Sequence, residues 1–159
     1  MSNIPESELL PITADLSAKN RLSIGGCDVR DLVQRYGSPL YIYDEATLRG
    51  MCRDFVDSFT NLYSRTQIEY SSKAFANPSI AKIIDEEGLS MDVVTGGELA
   101  VAIAADFPPK RLNFHGNNKA REELAEAVRY GIGNMTVDSF AEIDLLSEVV
   151  EELGVRQNI

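Results

Sequence analysis

From Ile68 onward, short runs of strand-forming residues alternate with longer stretches of helical periodicity. The strand-like runs begin near Ile68, Ser90, Leu112 and Asn134, an interval of about 22 residues that suits one compact strand–loop–helix–loop unit. Helical patterns fill residues 79–87, 97–105, 120–130 and 139–153. Thr95 with Glu98, and Ser139 with Glu142, have capping-box spacing, while Asn77 and Asn118 are placed to cap the helices after them. Gly88, Gly131 and Gly154 stop three of these helices and Pro108-Pro109 closes the other. The alternation predicts an α/β fold, a parallel sheet with right-handed crossovers. Four such units are half of an eightfold barrel or the core of an open doubly wound sheet, and the register places a fifth strand near Arg156.

The earlier part of the chain follows another pattern. Residues 1–21 are polar and proline-dotted and read as a loose arm. Gly25-Gly26 makes a turn, residues 28–36 carry a short helical stripe stopped at Gly37, and Leu40-Tyr41-Ile42-Tyr43 is a β-type run. Asp44 then caps a helix over 45–59, whose Leu48, Met51, Cys52, Phe55, Val56 and Phe59 share one face. The expected organisation is an arm (1–21), an N-terminal segment of helix plus strand (22–45) and a partial barrel of about four β/α units (46–159).

Composition narrows the function classes. The 159 residues, 44% hydrophobic and 25% charged, make one ordinary soluble domain or part of a larger one. A net charge of −10 argues against a nucleic-acid partner, which wants a basic face. No run reaches the length of a membrane span, and the first twenty residues lack a basic-then-apolar leader. Cys27 and Cys52 have no C-x-x-C spacing and read as reduced thiols of a cytoplasmic protein. A single histidine, His115, leaves no basis for a transition-metal site.

The candidate chemistry starts at Lys73. The segment from Ile68 to Pro78 reads as a strand that ends on this lysine, turns and opens a helix. On spacing alone such a lysine is usually a solvated surface residue. Held against apolar walls at the carboxyl end of a parallel strand, it would instead offer a free amine that condenses with a carbonyl. Asp92 and Glu98 flank the end of the second strand, where a carboxylate can hold a lysine amine or relay its proton; equally, Glu98 completes a cap and Asp92 binds backbone. His115 occupies the third rim, as either a packed or a catalytic imidazole, and Asp138 the fourth, where it also suits a helix cap. Gly96-Gly97 before a helix is a weak candidate for a phosphate-binding turn, lacking the glycine patterns of nucleotide sites.

The wording of the sequence resembles a known family. Tyr70-Ser71-Ser72-Lys73-Ala74-Phe75, Met91-Asp92-Val93-Val94-Thr95-Gly96-Gly97-Glu98-Leu99, Phe114-His115-Gly116-Asn117-Asn118-Lys119 and Thr136-Val137-Asp138-Ser139 are similar to the amino-terminal half of the diaminopimelate branch of the fold-type III pyridoxal-phosphate (PLP) decarboxylases. Gly37-Ser38-Pro39-Leu40-Tyr41-Ile42-Tyr43-Asp44 matches too. The resemblance implies a TIM-type, alanine-racemase-like barrel and PLP carried as an imine on Lys73, with Asp92, Glu98 and His115 as cofactor-side residues. It also implies conversion of meso-diaminopimelate to L-lysine and CO₂, a small amino-acid substrate and a homodimer. The family's H-I-G-S segment, glycine-rich phosphate loop, E-P-G-R segment and carboxyl-terminal β-domain have no counterpart in this sequence. Residues 1–45 would pack largely on that β-domain. The chain alone is therefore expected to be inactive and to present barrel edges through which it self-associates. An ornithine- or arginine-type decarboxylase fragment, or a non-catalytic partner of a full-length relative, are the competing readings.

Overall fold

The structure, a computed structural model, describes residues 9–17 and 19–159. It divides into two compact units, one ending at Asp54 and one spanning Phe55–Ile159.

In the first unit, β1 (Asp15–Leu16), β2 (Leu22–Ile24) and β3 (Cys27–Asp28) form an antiparallel sheet in that order, with Gly25 and Gly26 at positive φ in the β2–β3 turn. This corrects the loose arm expected over 1–21, of which residues 1–8 and 18 lie outside the described residues: Asp15 pairs with Ser23 and Leu16 with Leu22. Strands of two or three residues are too short to show a period in sequence. Helix α1 (Val29–Tyr36) starts where the Asp28 side chain accepts from Arg30 N–H and stops at Gly37. The run Leu40–Tyr43 joins neither sheet, a second correction. Its alternating residues are half-buried and exposed as in a strand, yet a strand needs a ladder partner and the sheet of this unit provides none. Helix α2 (Glu45–Thr60) begins where the Asp44 carboxylate accepts from Thr47 N–H at 2.9 Å.

The second unit carries the periodic pattern. Strands β4 (Glu69–Ser71), β5 (Ser90–Val93), β6 (Leu112–Phe114) and β7 (Asn134–Met135) form one parallel sheet in the order β4-β5-β6-β7. Helices α3 (Pro78–Glu86), α4 (Gly96–Ala104), α5 (Arg121–Tyr130) and α6 (Phe140–Leu153) follow the strands in turn. Alternation decides the two faces. Met91, Val93, Leu112, Phe114 and Met135 are buried, as are Ile84, Leu99, Leu124, Leu146 and Val149 from the helices. The other face carries the polar row Ser71, Asp92, Asn113 and Asn134, held side by side by the register. Asn118 does not cap α5; the N-cap is Ala120, two residues later, where Glu123 accepts the Ala120 N–H at 2.8 Å. After α6 the chain returns beside β7, and Met135 N–H donates to Asn158 O at 2.9 Å. The expected fifth-strand position is thus occupied by one ladder-like bond without a full strand.

Candidate active site

The carboxyl ends of the parallel strands surround an open cleft of about 260 Å³ that brings together Lys73, Asp92, His115 and Asp138. Val94, Gly116 and Asn117 complete its lining. Lys73 sits in a 3₁₀ turn (Ser72–Ala74) directly after β4, and the Tyr70 hydroxyl braces this turn by donating to Phe75 O at 2.8 Å. The Asn77 side chain accepts the Ile80 N–H and starts α3 beyond it. Lys73 is exposed, the solvated of the two settings weighed for it, and its cleft neighbours include carboxylates and an imidazole.

Asp92 is the group most changed by its setting. Its side chain is 15% exposed, and its Oδ1 is buried with no hydrogen-bond partner among the described residues, the nearest cation-forming group being His115 Nδ1 at 3.7 Å. Ser71 Oγ lies 3.5 Å from Oδ2, at the limit of a hydrogen bond. Burial pushes the Asp92 carboxyl above the usual carboxylate value. The charges of His115 and Lys73 and the Ser71 contact offset this in part, while Glu98 adds to it. Glu98 lies off the cleft. Its carboxylate accepts the Val94 N–H at 2.6 Å, and its own N–H donates to Thr95 Oγ1, so it shapes the turn that follows Asp92.

Gly116 is the backbone feature sequence reasoning left unassigned. Its φ is +92°, and a Cβ there would come 2.6 Å from Val94 O, so only glycine lets the third rim loop lie against the second.

Residues 46–159 match the sequence profile of the family described as pyridoxal-dependent decarboxylase, pyridoxal binding domain. The chain belongs to that family. This pyridoxal-dependent decarboxylase domain is 45% identical to the diaminopimelate decarboxylases of Bacillus methanolicus and Bacillus subtilis, over 92% and 89% of its length. It spans about a third of those curated relatives, 34% and 32% of their lengths. The crystal structure of diaminopimelate decarboxylase from M. jannaschii in complex with L-lysine superposes with a TM-score of 0.84 at 31% identity, covering 90% of this chain and 34% of that one. Fold class and vitamin B6 cofactor, as expected from sequence, are those of the family.

Within this decarboxylase domain glutamates take backbone N–H groups at the starts of α4, α5 and α6, while Asn77 caps α3. Glu98 takes the Val94 N–H, Glu142 takes the Asp138 N–H at 2.9 Å, and Glu123 takes both the Ala120 N–H and, at 2.6 Å, the Gly96 N–H. The Gly96-Gly97 turn therefore holds a carboxylate of α5, which corrects its reading as a phosphate-binding turn. The capping boxes of α4 and α6 form with a shift: the Thr95 and Ser139 hydroxyls cap as expected, while Glu98 and Glu142 reach one residue further back, to Val94 and Asp138.

The Asp92 shift has a measurable sign. A carboxyl raised in the fold binds its proton more tightly folded than unfolded. Stability therefore falls as pH climbs from the usual 3.8 to the folded value, and the deficit persists above it. Asp92→Asn is expected to raise the urea midpoint at neutral pH, with the gain vanishing below the ordinary carboxyl value. A lower midpoint at neutral pH would show that the ionised group stabilises the fold.

Proposed function

We propose that this chain is the cofactor-bearing part of a diaminopimelate decarboxylase, with Lys73 as the PLP lysine and meso-diaminopimelate as substrate. The observation that carries this reading is one amine, Lys73, on the rim of a parallel sheet, sharing a cleft with Asp92, His115 and Asp138. The residues present fit the aldehyde and ring end of PLP. An exposed primary amine is free to condense, and the unpaired Asp92 Oδ1 is free to hold a proton or an N–H donor. They do not fit the phosphate end, since the cleft offers two carboxylates and glutamates already take the nearby Val94, Gly96 and Asp138 N–H groups. When bound, PLP supplies the electron sink for the pair left by departing CO₂. Around it, His115 flanks Asp92, while Glu98 positions the Asp92–Val94 turn from outside the cleft.

Similarity at 45% identity to two diaminopimelate enzymes supports that substrate over ornithine or arginine. Cys27 and Cys52, which form no disulfide among the described residues, support a cytoplasmic setting. β4 stands at the end of the strand order, which supports self-association through that edge.

Carbon dioxide release tests the reading. Residues 1–159 alone are expected to capture PLP and release no CO₂ from meso-diaminopimelate. Joined to the remaining two thirds of the Bacillus methanolicus relative, they are expected to release it. A fusion that folds and binds PLP but acts on ornithine instead contradicts the substrate assignment, and release by the chain alone contradicts the requirement for more.

A further inference from the structure

We propose that Lys119 and Glu142 are positioning residues that set the Gly116–Asp138 side of the cleft, a role that rests on the PLP reading above. Lys119 Nζ lies 2.5 Å from Gly116 O, 2.9 Å from Thr136 O and 2.5 Å from Glu142 Oε1. Its side chain is 0% exposed, and that of Glu142 is 9% exposed. The ammonium meets three oxygens, two carbonyls in hydrogen bonds and the Glu142 carboxylate as an ion-pair partner whose Oε1 makes no hydrogen bond. One comes from the loop after β6, one from the chain after β7 and one from the first turn of α6. The other oxygen of Glu142, Oε2, accepts the Asp138 N–H at 2.9 Å. Gly116 and Asp138, both cleft-lining, are therefore tied through their backbones to one buried ion pair. A buried pair is weak evidence for stability, because its desolvation can outweigh its attraction. What this pair adds is the relative placement of two rim loops.

The test uses a double variant, Lys119→Met with Glu142→Leu, in the 159-residue chain. Apolar replacement of both partners removes the ties without leaving a lone charge, so the protein is expected to fold. Two readouts follow. Amide hydrogen exchange at Asp138 is expected to accelerate about tenfold or more relative to Val94, whose N–H is held by Glu98 of α4 and not by the Lys119–Glu142 pair; a merely structural loss would move both amides together. Capture of PLP at Lys73, trapped by borohydride, is expected to weaken about tenfold while capture of propionaldehyde at the same lysine stays unchanged. A folded double variant with wild-type Asp138 protection, or with wild-type PLP capture, overturns the proposal. If that double variant does not fold, a second charge-free pair, Lys119→Leu with Glu142→Met, which likewise removes every tie and leaves no lone charge, is read by the same two measurements and criteria. If the unsubstituted chain captures propionaldehyde but no PLP at Lys73, the PLP reading fails, and the Asp138-to-Val94 exchange ratio alone decides whether the brace exists.

Discussion

Lys119→Met alone is expected to destabilise the second unit by about 3–5 kcal/mol, the usual cost of breaking a buried ion pair from one side. The substitution strands the Glu142 carboxylate at 9% exposure and removes the donor that Gly116 O and Thr136 O share. An uncompensated charge in that setting is far costlier than the lost attraction. Adding Glu142→Leu removes the stranded charge and is expected to restore most of the loss. The two substitutions are therefore non-additive, as residues in direct contact should be. Urea denaturation of the two single variants and the double variant gives the cycle. A loss below about 1 kcal/mol for Lys119→Met would mean that water reaches the pair, as it does for exposed pairs such as Arg121 with Glu148.

Lys73→Ala is the second large effect, and it falls on chemistry instead of folding. Lys73 is exposed in a turn after β4, so its removal is expected to change stability by no more than about 0.5 kcal/mol. Borohydride-trapped PLP, in contrast, should fall to the level of incidental labelling. Lys73→Arg should behave the same way, because a guanidinium keeps the charge but does not condense with an aldehyde at neutral pH. Alanine variants of Lys82 and Lys110, both exposed, serve as controls and should leave trapping unchanged. Persistent trapping in Lys73→Ala would remove this residue from the site.

Much of the second unit was legible before any coordinates. The four strands repeat at a steady interval, the expected polar residues Asn77, Thr95 and Ser139 start three of the helices, and glycine follows the last turn of α3, α5 and α6, so local signals agree with the global fold. The convergence of Lys73, Asp92, His115 and Asp138 followed from topology alone, since parallel strands point their carboxyl ends one way. Other features depended on contacts that sequence spacing does not carry. The β1–β3 sheet is built from strands too short for periodicity, and Leu40–Tyr43 has strand-like residues without a partner. Lys119 and Glu142 stand far apart in sequence, one within a motif and the other read as a cap, and only the fold makes them a pair. Glu123 reaches across to Gly96 for the same reason. Of the two settings weighed for Lys73, a solvated rim and apolar walls, the fold gives the exposed one, and the row beneath it is Ser71, Asp92, Asn113 and Asn134.

The central claim, that Lys73 is the amine built to take the cofactor, is tested most directly by mapping where PLP attaches. The chain has five lysines: Lys119 is buried, while Lys19, Lys82 and Lys110 are, like Lys73, exposed. Incubation with substoichiometric PLP, borohydride reduction and peptide mass mapping is expected to place most of the label on Lys73, because that lysine shares a cleft with two carboxylates and an imidazole. Label spread evenly over the four exposed lysines would contradict the account.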